Sequence, residues 1–128
     1  MTFCRSSSFF RPAKELRASA ARVALAEGLS ETWLNDAVTR FFSEHATYTV
    51  YVQLSHLTVH VADPEYLLAM KCLAVRIGEE FHDVADIRYL LRYLNLTNAE
   101  DAKAVIERYY PLDKFPQKTM YLLEELLE

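Results

Sequence analysis

The chain has 128 residues, enough for one domain and few for two; 52% are apolar and 25% are charged. A domain of this size buries about two-thirds of the surface its unfolded chain exposes. The net charge of −4, with thirteen acidic and eight basic residues from Asp63 onward, argues against a dedicated nucleic-acid surface, which would carry a basic patch, and leaves room for a nucleotide or RNA end in a local pocket.

Residues 1–11 show no helical period and read as a loop or a frayed strand. Pro12 suits a first helical position. Leu16, Ala20, Val23, Ala24 and Ala26 then form an amphipathic stripe that Gly28 ends. Ser30 can cap a second helix through Trp33, Leu34, Ala37, Val38, Phe41 and Phe42, so 12–43 is predicted to be a helical pair. From Thr47 to Val61 the period changes to two. Tyr48, Val50 and Val52 alternate with Thr49, Tyr51 and Gln53, and Leu57, Val59 and Val61 alternate with Thr58 and His60. Two strands over 47–61 follow, joined as a hairpin. Two strands alone are marginal and need a third strand, a helix or a partner to cover them.

Asp63-Pro64-Glu65 is a helix start, with a cap, a proline and an acid in the first turn. That helix runs toward Gly78. Asp83 caps or opens the next, which presents Val84, Ile87, Leu90, Leu91 and Leu94. Thr97-Asn98-Ala99-Glu100 reads as a capping box for a helix through Ala104, Val105, Ile106 and Tyr109, which Pro111 blocks. A last helix starts near Pro116 and carries Met120, Leu122, Leu123, Leu126 and Leu127. The expectation is an α+β fold in a single domain, 1–128. It is mainly helical, with a small two-strand sheet between the N-terminal helical pair and a C-terminal helical bundle over 63–127.

One residue breaks the hydrophobic logic. Lys71 lies in the apolar run Tyr66-Leu67-Leu68-Ala69-Met70-Lys71-Cys72-Leu73-Ala74-Val75, on a helix face shared with Leu67, Leu68, Ala74 and Val75. A buried ammonium is costly unless it is paired or faces a polar cleft. Asp83 and Asp86 follow, three apart and so on one side of the next helix. Lys71 can clamp a phosphate as a point charge; the ordinary alternative is a snorkelling stem whose head pairs with Asp86. Asp83 and Asp86 could serve as a base or share a magnesium ion, but such a site needs further oxygen ligands. Ordinary roles for them are an N-cap and an ion-pair partner. Arg88 and Arg92 read as a solvated face. Tyr89, Tyr93, Tyr109 and Tyr110 could stack on a base, though aromatics at helical spacing usually pack in a core.

His82-Asp83 resembles the doublet of HD-type metal-dependent phosphohydrolases. Its missing second histidine would have to be His56 or His60, both in strand-like sequence. No residue is assigned to a metal. Cys4 and Cys72 make neither a disulfide framework nor a zinc motif. The first residues lack the apolar core of a signal peptide, and no stretch approaches transmembrane length. A reducing cytoplasm and no membrane association are expected.

Trp33-Leu34-Asn35-Asp36-Ala37, Ala62-Asp63-Pro64-Glu65-Tyr66-Leu67-Leu68-Ala69-Met70-Lys71, Arg76, Asp83-x-x-Asp86-Ile87 and Tyr109-Tyr110-Pro111 together resemble the later part of bacterial nucleotidyltransferase-like proteins, similar to the toxin enzymes of AbiEii-type toxin–antitoxin systems. The resemblance spans residues 9–127. It implies a small mixed sheet with a helical C-terminal part. It places Lys71 on the phosphates of a nucleoside triphosphate, matches Arg76 to the arginine before the acidic pair, and makes Asp86, ahead of Asp83, the acid of the site. His82 stands where a basic residue often precedes the first aspartate. Such transferases also carry a Gly-Gly or Gly-Ser turn and an Asp-x-Asp pair that holds magnesium across the phosphates. This chain has neither, and its start corresponds to a point after that motif. The resemblance therefore implies a truncated or split member, catalytically incomplete alone. Such a member is expected to bind a nucleoside triphosphate with magnesium, or a partner chain or second copy through an exposed sheet edge. It becomes a nucleotidyltransferase only if a missing catalytic half completes it. The alternative is a helical interaction module of a toxin–antitoxin type system, in which Lys71 and Asp86 form a structural ion pair.

Overall fold

The structure, a computed structural model, describes residues 2–5, 13–35, 41–78 and 81–127. The fold is α+β and mainly helical: β1 (Thr2–Arg5), α1 (Ala13–Glu27), β2 (Tyr48–Gln53), β3 (Thr58–Ala62), α2 (Pro64–Leu73), α3 (Asp83–Tyr93), α4 (Ala99–Glu107) and α5 (Gln117–Leu127). Two compact units divide it. One comprises Phe41–Thr49 and Val61–Glu128; the other comprises Thr2–Arg40 and Val50–His60.

The alternating segment forms a β2–β3 hairpin, closed where the Leu54 amide donates to the Leu57 carbonyl at 2.7 Å. The sheet is larger than the two strands expected. β1 joins it on the far side of β3, giving the order β1-β3-β2. A third strand is what an otherwise marginal hairpin requires.

In the second unit, α1 ends at Gly28, whose φ of +68° is left-handed. The Leu29 amide reaches back to the Ala24 carbonyl at 2.9 Å, a Schellman closure. The buried stripe of α1 is narrow, with Ala20 and Ala24 fully enclosed. The expected second helix does not begin at Ser30. Residues 31–34 form a turn and a bend, because small polar side chains capture the local backbone. The Ser30 hydroxyl accepts the Thr32 amide at 3.3 Å, and the Asn35 side chain donates to the Thr32 carbonyl at 3.0 Å. Such bonds compete with helix. The Trp33 indole donates to the Ala20 carbonyl at 2.9 Å, which ties this turn to α1. Residues 36–40, including Ala37 and Val38 of that expected helix, lie outside the described residues.

The first unit holds the main core. α2 is buried on nearly every side, through Tyr66, Leu68, Ala69, Met70 and Cys72, as a helix apolar all round must be. It packs against α3 and α4, which contribute Ile87 and Leu91, and Ala102 and Ile106. α5 adds Leu122 and Leu123. Burying each such leucine or isoleucine contributes about 1.5–3 kcal/mol. Tyr66 stacks on Tyr109 with centroids 5.2 Å apart and meets Tyr48 edge-on at 5.6 Å. Its hydroxyl accepts the Ser43 amide at 3.2 Å. Nearby, the Tyr110 hydroxyl donates to the Phe41 carbonyl. Burial, with Tyr66 alongside, pushes the Tyr48 phenol up to about 12 and raises that of Tyr110 further.

Two helix boundaries and one capping bond differ from expectation. Asp63 occupies the N-cap of α2, but its side chain makes no capping bond; its carboxylate accepts the Thr49 hydroxyl instead. α4 is capped one residue later than the Thr97–Glu100 box. Asn98 accepts the Asp101 amide at 2.8 Å and donates back to its carboxylate at 2.8 Å, a reciprocal closure of the same kind. α2 stops at Leu73, not near Gly78, for the reason given below.

Candidate functional site

Lys71 occupies the last turn of α2, while Asp83 and Asp86 occupy the first turn of α3. Each charge sits at the helix end whose dipole favours it, and the two ends meet. Lys71 Nζ lies 2.8 Å from Asp86 Oδ2 and 3.5 Å from Asp83 Oδ1. The side chains of Lys71, Asp86 and Asp83 are 25%, 46% and 8% exposed. The cation on the apolar helix thus turns to the two carboxylates and keeps partial contact with water. Lys71, Arg76, Asp83 and Asp86, the four residues that the resemblance groups, belong to one cluster.

Arg76 completes it. Its backbone amide and its Nε both donate to Asp83 Oδ2, at 3.0 and 2.9 Å. Its guanidinium lies 4.4 Å over the centre of the Phe81 ring, a cation–π contact. The hydrogen bond from Arg76 holds the Asp83 carboxyl below the ordinary aspartate range; burial opposes this, and the Arg76 amide and the Arg76 and Lys71 charges reinforce it.

The same bonds explain where α2 ends. In a longer helix the Arg76 amide would bond the Cys72 carbonyl, four residues back. That amide goes to Asp83 instead. The Cys72 carbonyl is taken by the buried Thr119 hydroxyl at 2.8 Å, from α5. Both groups stranded by the break are therefore satisfied. Thr119 and Phe81 are the residues that sequence reading missed. Thr119 could have been found from its register, since Thr119, Leu122, Leu123 and Leu126 share one face of α5. Phe81 carries no such signal.

Asp83 opens α3 with its side chain committed to Arg76, whereas among the described residues Asp86 meets Lys71. Of the two acids, Asp86 is the one able to change partner. Arg88 and Arg92 are exposed on α3. Tyr89 and Tyr93 are exposed and stack on each other at 6.3 Å. Tyr109 and Tyr110 are core residues and offer no face to a base. His82 is exposed at the N-cap of α3; His56 and His60 belong to the other unit. Among the described residues no three of His, Cys, Asp or Glu stand together as metal ligands. Asp83 and Asp86 each already face a cation, so this cluster does not fit the magnesium cradle of a transferase. Burial pushes the Cys72 thiol up to about 12, which makes it a core side chain and not a nucleophile. No described helix is long and apolar enough to cross a membrane.

Comparison with protein-family models gives no match, and comparison with curated proteins and with solved structures gives no significant one.

Proposed function

We propose that this chain is a nucleotidyltransferase-like protein of the bacterial cytoplasm that carries out no transfer alone and presents Lys71 to the phosphates of a nucleoside triphosphate. The observation that carries the reading is the Lys71–Asp86 pair. Lys71 is held in place by two carboxylates, yet its shorter contact is to a carboxylate almost half exposed. A phosphate oxygen can take the place of Asp86, because exposed ion pairs are weak, about 0–1 kcal/mol. Asp83 stays with Arg76 and keeps the loop in shape. The Arg76 guanidinium retains donors beyond the one given to Asp83 and can meet a second phosphate oxygen. The 128 residues contain no Asp-x-Asp pair, so they do not themselves supply the metal term that dominates phosphoryl transfer.

Calorimetric titration with ATP, GTP, CTP and UTP, with and without magnesium, tests this on wild type and Lys71→Ala. Binding heat in the wild type, with affinity at least about tenfold lower in the variant (1.4 kcal/mol), is the expected result. Equal or absent heats in both proteins remove the nucleotide site.

One observation favours a second reading, the helical interaction module of a toxin–antitoxin type pair. Two cations face two carboxylates, leaving the cluster neutral. If the pair is only structural, Lys71→Met is neutral or stabilising and no nucleotide binds. A melting temperature lowered by many degrees would count against this reading.

A further inference from the structure

β2 is an edge strand: in the order β1-β3-β2 it has β3 on one side and no strand on the other among the described residues. Edge strands offer a row of main-chain donors and acceptors to any other strand. Proteins that stay monomeric usually blunt such an edge with lysine, proline, a short length or a bulge. Here neither lysine nor proline is present. From Ala46 to Ala62, seventeen consecutive residues include no Asp, Glu, Lys or Arg, and no Gly or Pro, in a chain that is 25% charged. The edge itself runs Tyr-Thr-Val-Tyr-Val-Gln, β-branched and aromatic except for its last residue. The side chain of Tyr51 is 73% exposed, and Val50 and Leu54 are exposed too.

We propose that β2 pairs antiparallel, across a two-fold axis, with β2 of a second copy of this chain. Three observations select that occupant. The free side of β2 calls for a strand, whose backbone matches the ladder. The hairpin has no fixed charge, so two copies of a protein of net charge −4 can meet there without opposing like charges. Its threonine, tyrosine and valine side chains form favourable cross-strand pairs with one another. A two-fold contact between identical strands is also closed, so it stops at a dimer. An acidic or basic partner would find no complementary charge on this edge. The proposal deepens the partner reading above and is independent of the nucleotide site, so the calorimetric result leaves it unaffected.

Sedimentation velocity on the full chain over a hundredfold concentration range, with hydrogen exchange at both ends of it, is the test. The expected result is a monomer that becomes a dimer as concentration rises, with amides of 50–53 gaining protection in step. Tyr51→Lys should return the protein to monomer and abolish that gain while its melting transition stays in place. If Tyr51→Lys does not fold, Val50→Lys makes the same test. A monomer throughout, a dimer unaffected by the folded lysine variant, or an open series of higher oligomers would overturn the proposal. In the first case a nucleotide heat would still be measurable, so the two readings fail separately.

Discussion

The amide and the guanidinium of Arg76 converge on one oxygen of Asp83, at 3.0 and 2.9 Å. That oxygen organises the connection between α2 and α3. It accepts the amide that leaves the helix and fixes the side chain beside it. Lys71 reaches the other Asp83 oxygen at 3.5 Å, so the carboxylate is the hub of the cluster and Lys71 its exchangeable arm.

Replacing Asp83 by Ala should therefore be among the more damaging changes in the first unit. The variant leaves the Arg76 amide and two cations without their acceptor. A loss of about 2–4 kcal/mol is expected, read as a melting temperature lowered by about ten degrees. Asp86→Ala, at a more exposed carboxylate, should cost less than about 1 kcal/mol. Equal effects of the two would mean that the hub has been assigned to the wrong residue.

Acid should reveal the same carboxylate. The folded pKa of Asp83 lies below its ordinary value, which is about 3.9. Between the two values the unfolded chain binds a proton that the folded chain does not, so stability rises with pH there. The contribution is complete above pH 4–5 and is lost as pH falls through the folded pKa. Denaturant unfolding from about pH 2 to 6 should show a shallower slope for Asp83→Asn than for wild type below pH 4. Identical slopes would contradict the assignment.

The cluster was legible from sequence because Lys71 violates the pattern around it, and a violated pattern needs a reason. Asp83, Asp86 and Arg76 could then be named as its company. Helix ends were less legible. Gly78 looked like the stop of α2, yet the stop is set by Asp83 and Thr119, seven and 47 positions away from the groups they satisfy. A cap supplied across such distances leaves no local signature. The turn at Ser30 failed for the opposite reason: a serine that can cap a helix can also close a turn, and local sequence does not choose between them. The sheet was legible by alternation. Of the motif residues behind the resemblance to nucleotidyltransferase-like proteins, Lys71, Arg76, Asp83 and Asp86 do converge, but convergence is equally what a structural ion pair needs.

Thr119 gives a clean test of how α2 is closed. Thr119→Val keeps the shape and removes the donor to the Cys72 carbonyl, which is then buried without a partner. The expected loss is about 1–3 kcal/mol, measured by chemical denaturation. Thr119→Ser keeps the donor and should retain more of the stability. A valine variant as stable as wild type would show that the carbonyl finds another partner.

Two helix ends provide an internal comparison. Gly28 and Asn95 both take left-handed backbone, with φ of +68° and +56°, and the next amide in each case returns to the helix at 2.9 Å. A Cβ built on Gly28 meets nothing within 4 Å, so any cost there is conformational alone. Gly28→Ala should destabilise by about 1 kcal/mol, and Asn95→Gly should stabilise slightly or be neutral. The opposite ordering in thermal melts would mean that side-chain contacts, not backbone, decide at these positions.

The bond from Thr119 to Cys72 also sets an order of events at the ribosome. Those residues are 47 positions apart, which at about 5–20 residues per second is roughly 2–9 s of translation. For that interval the nascent α2 has an open end, and the helices beside it can only be provisional. A pause or a cut between them would release a chain with most of its core made and its last latch absent.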